Sequence, residues 1–299
     1  MTGQADQGDG PAWVDESGLP GPNVARIYDY LLGGKDHFAA DRQAARRLIA
    51  ALPDAAAVAR ANRVFLAAAV QHAAREGIAQ YLDIGAGLPT SPSVHECARA
   101  IVPGARVAYV DNDPVAVRHA QALLATGDGV IAIEGDAREP EAILACPALA
   151  AVIDLAEPVC LLLVSMLHFV TAAEADMIVG TFRQRMIPGS YLIISQGSAG
   201  PVPREPVQEA YGSGITLTGR SAAEIAAYFD GFDLVPPGLV PVAEWPAAQP
   251  DAGTPPRQPT QPASPMLPPC LVNSRRTSAT VRLRLSVSAI TNTAAPPGP

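Results

Sequence analysis

Five short apolar runs between residues 81 and 195 constrain the fold more than any other feature of this sequence. Ala-rich segments with helical spacing separate them. Strands and helices that alternate in this way are typical of a parallel sheet covered by helices on both faces. A sixth strand is predicted within residues 232–240, where Pro236-Pro237 weakens it. The five runs are YLDI (81–84), RVAYVD (106–111), VIAIEG (130–135), PVCLLLVS (158–165) and SYLIIS (190–195).

The segment before the first strand has a different pattern. Residues 1–22 are rich in Gly, Asp and Pro and are predicted to form a flexible arm. Residues 23–76 have helical spacing. We expect one helix that ends near Gly33-Gly34, a second over 41–51 and a third over 54–75.

The last segment, 246–299, follows the predicted sheet domain of residues 77–245. It has 12 prolines among its 54 residues, a density that disfavours regular structure and predicts a disordered tail. Only residues 278–290 alternate like a strand. Residues 252–299 contain five Arg and no acidic residue, which a shifted reading frame would also explain.

Charge and cysteine usage restrict the classes of partner. The net charge is -8, so an acidic body gives no electrostatic support for binding nucleic acid. The four cysteines are far apart and the five histidines lack metal-ligand spacing, which predicts free thiols, a cytoplasmic location and no metal site. No apolar run approaches the roughly 20 residues of a membrane span.

The stretch YLDIGAGLPTSPS (81–93) joins a strand directly to a glycine turn. Ligands of open α/β sheets bind outside the carboxyl ends of such strands. Gly85 and Gly87 fit the dinucleotide pattern G-x-G-x-x-G, but Thr90 stands at the third glycine. The carboxylate of Asp83 would repel a pyrophosphate and attract an ammonium or sulfonium group. An NAD-dependent dehydrogenase is therefore the less favoured alternative.

Two further acids end the next two strands. Asp111 could accept hydrogen bonds from both hydroxyls of a ribose, and Asp136 lies where an adenine amino group could donate to it. Asp is also common at such turns as a helix N-cap, so each acid alone is weak evidence. The set of Asp83, Asp111 and Asp136 points to a nucleoside-containing ligand.

Several motifs together resemble a bacterial family of S-adenosyl methyltransferases that was first catalogued as a domain of unknown function. The resemblance covers residues 23–245. The motifs are VARIYDYLLGGKDHFAADR (24–42), RANRVFL (60–66), YLDIGAGLPT (81–90), VHE (94–96), YVDNDP (109–114) and LHFV (167–170).

The resemblance implies a class I, Rossmann-like fold with a mostly parallel seven-stranded sheet, and S-adenosylmethionine as the cofactor. Asp83, Gly85 and Gly87 would form the loop on the methionine side. Asp111 and Asn112 would hold the ribose, and Asp136 and Ala137 would flank the adenine. Such sheets end with an antiparallel strand beside the fifth. Since we predict no buried strand after Trp245, a six-stranded sheet is the alternative.

The residues that would meet the methyl acceptor are harder to predict. His168, just past the fourth strand, is either a general base or acceptor contact, or a packed helix residue. Lys35 is the single lysine of the chain, but Asp36 follows it, so GGKD is not a phosphate loop. In similar methyltransferases this segment folds over the cofactor, so Tyr28, Lys35 and His37 are predicted lid residues. A solvated Lys35 is the alternative.

These features predict in-line methyl transfer to a small molecule. A sensor that binds S-adenosylmethionine without turnover, or an inactive enzyme, is the alternative. The identity of the acceptor and the oligomeric state do not follow from the sequence.

Overall fold

The computed structural model describes residues 21–125, 127–198, 204–212, 215–245 and 269–275. Its centre is a sheet whose first five strands are parallel, in the order β3-β2-β1-β4-β5. Their bounds agree with the prediction to within two residues. They are β1 (Gln80–Ile84), β2 (Arg106–Asp111), β3 (Val130–Glu134), β4 (Cys160–Val164) and β5 (Tyr191–Ser195).

Helices cover both faces of this sheet, which confirms the predicted α/β class. Three precede it, α1 (Val24–Leu32), α2 (Ala39–Ala51) and α3 (Ala55–Arg75). Between the strands lie α4 (Val94–Arg99), α5 (Pro114–Leu123), α6 (Pro140–Leu144), α7 (Pro147–Ala150), a 3-10 turn (Leu167–Phe169) and α8 (Ala172–Arg185). After β5 come α9 (Arg204–Tyr211) and α10 (Ala222–Ala227).

Three apolar clusters form the core of the described residues, one on each face of the sheet and a third between α1, α2, α3 and α9. On one face Phe65 of α3 packs with Tyr81 and Val107, and on the other Phe182 of α8 packs with Leu82. Neighbouring strand residues enter opposite clusters because side chains alternate between the faces of a strand. Burial on both faces explains why the strands read as continuous apolar runs.

The far edge of the sheet differs from the prediction. Residues 232–240 supply two short strands, β6 (Phe232–Leu234) and β7 (Val240–Pro241). Residues 269–275 form β8 (Pro269–Arg275), which pairs antiparallel with β5, β6 and β7. Within the described residues the sheet therefore has eight strands, where seven or six were expected.

The expectation of a tail without structure is thus wrong for residues 269–275. The backbone of β5 needs a partner on its open side, since unpaired buried N–H and C=O groups are costly. The proline that begins β8 stands at the first strand position, where a ladder tolerates it. The other residues of the tail, including 278–290, and residues 1–20 of the arm lie outside the described part.

Two smaller expectations can also be compared with the described residues. Cys97 and Cys160 are buried, Cys146 is half-buried, and all three are free thiols as predicted. Among the helices that the structure describes, none combines the length and apolar character needed to cross a membrane.

Candidate functional site

A cavity of about 950 Å³ lies at the carboxyl ends of the parallel strands, beneath α1, α2 and α3. The chain leaves β3 at the sheet edge and returns to β4 beside β1, so the strand order reverses between β1 and β4. Open α/β sheets bind ligands at such a switch point. The cavity is therefore located where the topology predicts a ligand.

The turn after β1 forms one wall of the cavity. Gly85 and Gly87 have φ values of 70° and 67°, a region that favours glycine. A Cβ at Gly85 would lie 2.9 Å from the Cβ of Met166, and one at Gly87 would lie 3.7 Å from the Cβ of Ala25. Gly85 thus lets the β1 turn lie close to the loop after β4, whereas Gly87 is favoured by its backbone conformation.

Asp83 lines the same cavity, and only 6% of its surface is exposed. Burial, together with the carboxylate of Asp111, raises the pKa of Asp83 to about 7, although Arg63 acts in the opposite direction. Among the described residues, no donor makes a hydrogen bond to its carboxylate. The cavity therefore contains a buried acceptor suited to a cationic ligand group.

The Asp111 carboxylate is held in place by two backbone amides. Gly87 N–H donates to Oδ2 at 2.7 Å, and Asp113 N–H donates to Oδ1 at 2.9 Å. Burial is the main cause that raises the pKa of Asp111. Each of its oxygens can accept a further bond, which suits the two hydroxyls of a ribose. Asn112 also lines the cavity and is exposed.

Asp136 and Ala137 complete the row of strand-end residues along the cavity. Arg138 bonds to the Asp136 carboxylate, with Nε 3.0 Å from each oxygen, and this bond is the main cause that lowers the pKa of Asp136. Asp136 is therefore already paired, unlike Asp83. The cofactor residues predicted from the sequence all lie on one cavity wall.

A second wall is formed by the loop after β4, where Ser165 has a φ of 60°, uncommon for a residue other than glycine. His168 follows and lines the cavity. Its Nδ1 is the acceptor for the N–H of Gly197 at 3.4 Å, so the neutral ring carries its proton on Nε2. Burial, and secondly the charge of Arg220, lowers the pKa of His168 to about 4.

Arg220, which the sequence did not single out, holds this loop. It is 1% exposed and donates to the carbonyl oxygens of Leu167, Val170 and Thr171 at 2.6 to 3.2 Å. None of the salt bridges between described residues includes it. Nothing in its local sequence reveals this role, because its partners lie about 50 residues earlier.

The N-terminal helices are tied to the strand ends by buried polar contacts. Arg26 of α1 pairs with Asp41 of α2 at 2.8 Å and approaches Asp113 to 3.6 Å. Asn62 of α3 donates to the hydroxyl of Tyr28 at 2.9 Å. Tyr28 lines the cavity. A polar Asn62 on an otherwise apolar helix face was the only sequence signal for this network.

Lys35 and His37, the other two predicted lid residues, lie outside the cavity that Tyr28 lines. Lys35 is exposed, and neither it nor His37 lines the cavity. His37 Nδ1 lies 2.9 Å from the Asp29 carboxylate, which also accepts the N–H of Asp36. These contacts of Asp29 stabilise the loop after α1. As predicted, the helix ends at Gly33, which has a φ of 81°.

Comparison with known proteins agrees with this geometry. The model of a family described as S-adenosyl methyltransferase matches residues 14–266. No protein of curated function matches the chain.

Two solved structures are similar over most of their length. A candidate methyltransferase from Thermobifida fusca YX is 35% identical, with a TM-score of 0.78 over 86% of this chain and 96% of that one. A DUF574 family protein from Streptomyces avermitilis MA-4680 is 36% identical, with a TM-score of 0.76 over 86% and 98%.

The predicted resemblance, the class I fold and the cofactor class are thereby confirmed. The chain belongs to the S-adenosyl methyltransferase family and is a methyltransferase that depends on S-adenosylmethionine.

Proposed function

We propose that the chain transfers the methyl group to a small-molecule acceptor within the 950 Å³ cavity. The observation that carries the proposal is the convergence of Asp83, Gly85, Gly87, Asp111 and Asp136 on one wall of that cavity. A cavity of this size suits a small molecule, since ligand pockets measure roughly 300–1,000 Å³.

Each strand end has a separate role in holding the cofactor. Asp83 would face the cationic methionine portion beside the Gly85-Gly87 turn. Asp111, fixed by two backbone amides, would accept from the ribose hydroxyls, with Asn112 beside it. Asp136 and Ala137 would flank the adenine. The fit is supported by the buried Asp83 carboxylate, which lacks a donor among the described residues.

S-adenosylmethionine, when bound, would supply a methyl group on a sulfonium: the nucleophile of the acceptor would bond to the methyl carbon in line as the carbon–sulfur bond breaks, and S-adenosylhomocysteine would leave. This chain contributes mainly alignment and the exclusion of water. Such positioning supplies up to about 7–11 kcal/mol in favourable cases. The helices α1 to α3 cover the cavity from the outside, which supports a shielding role for residues 23–76.

His168 is best suited to contact the acceptor as a hydrogen-bond donor. Its pKa of about 4 makes it a weak base at neutral pH. Nδ1 is engaged by Gly197, whereas no described residue makes a hydrogen bond to Nε2. The Nε2–H can therefore orient an acceptor oxygen, which keeps a second lone pair for attack on the methyl group.

Calorimetric titration tests the cofactor site directly. We expect S-adenosylmethionine and S-adenosylhomocysteine to bind with 1:1 stoichiometry and NAD not to bind. Asp111→Ala should weaken both cofactor forms, whereas Asp128→Ala, at an exposed acid away from the cavity, should not. Binding of NAD without binding of S-adenosylmethionine would refute the proposal.

Turnover requires a separate measurement. We expect S-adenosylhomocysteine to be released when the protein is incubated with S-adenosylmethionine and a panel of small-molecule acceptors. Cofactor binding without release for any acceptor would favour a sensor instead.

A further inference from the structure

We propose that the methyl acceptor is a predominantly apolar, uncharged molecule, bound in an apolar subsite formed by Leu32, Leu52, Val58, Phe169, Tyr211 and Leu217. The inference rests on the proposed function, since it divides one cavity between cofactor and acceptor. It names the chemical class of the acceptor, which neither the family nor the fold provides.

The cavity is lined by acidic residues at the ends of β1 to β3 and mainly by apolar residues on the side of β4 and β5. Asp83, Asp111 and Asp136 lie at the ends of β1, β2 and β3, and we call the side of the cavity that they line the cofactor wall. The apolar subsite is formed by elements on the other side of the switch point, namely the loop after β4, α9 and the segment 215–222, together with the N-terminal helices. Because β4 and β5 lie beside β1 in the sheet, the two regions adjoin near His168.

The subsite residues keep part of their surface open. Leu32, Leu52, Val58, Phe169, Tyr211 and Leu217 are all half-buried and line the cavity. Their neighbours Leu31, Leu48 and Val207 also line the cavity and are buried in the apolar cluster against which most of the subsite residues pack. Apolar surface left open inside a cavity gains free energy when an apolar ligand covers it.

Two aromatic rings give this surface a defined shape. The rings of Phe169 and Tyr211 meet edge to face, with centroids 5.3 Å apart. The Phe169 ring also lies 4.2 Å from that of His168. An acceptor placed against Phe169 would thus present its nucleophilic atom beside His168.

Charged groups are few at this end of the cavity. Arg220 lines it, and its Nη1 and Nη2 groups bond to three backbone carbonyls, although its buried Nε–H has no hydrogen-bond partner among the described residues. Asp29 is bonded to His37 and Asp36, and Asp54 is half-buried before α3. A charged acceptor would lose its hydration here without matching partners, which is costly. An uncharged acceptor avoids this cost.

The volume also allows two ligands. Pockets for a single drug-sized molecule begin at roughly 300 Å³. A cavity of about 950 Å³ has room for the cofactor and an acceptor together.

The test uses N-phenyl-1-naphthylamine, an uncharged apolar fluorophore, titrated into the full-length protein. We expect saturable binding with 1:1 stoichiometry, both alone and with saturating S-adenosylhomocysteine. Val58→Trp, which fills the subsite, should weaken probe binding at least tenfold while the affinity for S-adenosylhomocysteine stays within twofold.

Val64→Trp is the matched control, because Val64 is on the same helix and 55% exposed. It should leave probe binding unchanged, and circular dichroism of both variants should match the parent. Phe169→Ala is a second variant, which removes a side chain from the subsite instead of enlarging one. It should also weaken binding of the probe.

Three results would overturn the inference. They are no saturable probe binding, displacement of the probe by S-adenosylhomocysteine, and equal effects of Val58→Trp and Val64→Trp. Probe binding without any binding of S-adenosylhomocysteine would instead refute the proposed function and leave the apolar subsite supported.

Discussion

The hydroxyl of Ser195 donates a hydrogen bond of 2.6 Å to Oδ1 of Asn62, which lies 133 residues earlier in the chain. Nδ2 of Asn62 donates to Tyr28, whose hydroxyl donates to the carbonyl of Ala59 at 3.1 Å. This buried network joins the end of β5 to α3 and α1. It fixes the N-terminal helices over the cavity.

Removal of Asn62 should destabilise the fold. Asn62→Ala leaves the Ser195 hydroxyl without its acceptor, whereas the Tyr28 hydroxyl keeps its bond to the Ala59 carbonyl. A buried group left unsatisfied costs about 1–3 kcal/mol. Urea unfolding of Asn62→Ala, Ser195→Ala and the double variant should give a coupling energy above about 0.5 kcal/mol. Strictly additive losses would show that the two side chains do not interact.

Asp83→Asn should stabilise the cofactor-free protein at pH 8. The pKa of Asp83 is raised to about 7, chiefly by burial, so the folded state binds the proton more tightly than the unfolded state. The contribution of Asp83 to stability is therefore greatest below pH 4 and falls as the pH rises to about 7. Near pH 4 the free energies of unfolding of the variant and the parent should become equal. Denaturant titrations at pH 4 and pH 8 would measure both. A pH-independent difference would contradict this pKa.

The same carboxyl predicts a pH dependence of cofactor binding. Because the ionised form attracts a cationic ligand, the affinity for S-adenosylmethionine should rise between pH 6 and pH 8 in the parent protein. Calorimetry on Asp83→Asn should give weaker binding without this rise. An unchanged pH profile in the variant would assign the effect to another group.

Asp111 should contribute more to the affinity for the cofactor than Asp136. The Asp111 carboxylate is oriented by two amides and has free acceptor capacity, whereas that of Asp136 is paired with Arg138. Charge-assisted hydrogen bonds contribute about 1.5–3 kcal/mol, so Asp111→Asn should weaken binding roughly 10–100-fold. Asp136→Asn, measured by the same titration, is the comparison and should reduce the affinity for the cofactor by a smaller factor. Equal losses would count against the assignment to the ribose.

His168 should act without titrating near neutral pH. Since its pKa is lowered to about 4, mainly by burial, the rate of methyl transfer should show no inflection from His168 between pH 6 and pH 8. His168→Asn keeps an acceptor for Gly197 but loses the Nε2 donor, and it should slow transfer about tenfold, the value of one hydrogen bond. His168→Gln, which retains a distal amide, should recover part of the rate. An inflection near pH 6.5 that disappears in both variants would indicate a general base instead.

Lys35→Ala should leave cofactor affinity and stability unchanged. The side chain is exposed and does not line the cavity, in contrast to the lid role expected from the sequence. Surface substitutions of this kind usually change stability by less than about 0.5 kcal/mol. Calorimetry would check this, and weakened binding would restore a lid contact.

The sequence by itself determined the order of the elements and the cofactor wall. The apolar runs predicted β1 to β5 because a strand buried on both faces must be apolar throughout. The residues of that wall follow directly from strand ends, since the carboxyl ends of parallel strands meet at one edge. Local chemistry therefore sufficed to predict that Asp83, Gly85, Gly87, Asp111 and Asp136 lie together along one cavity, and their roles in cofactor binding stay predictions.

Tertiary structure alone decided the rest. The strand over residues 269–275 depends on the open backbone of β5 rather than on its own proline-rich surroundings. The contacts of Ser195 with Asn62, and of Arg220 with the loop that carries His168, join residues about 50 to 133 positions apart. The position of Lys35 outside the cavity depends likewise on how α1 packs. These features arise from burial and hydrogen bonding between distant segments, which no local pattern encodes.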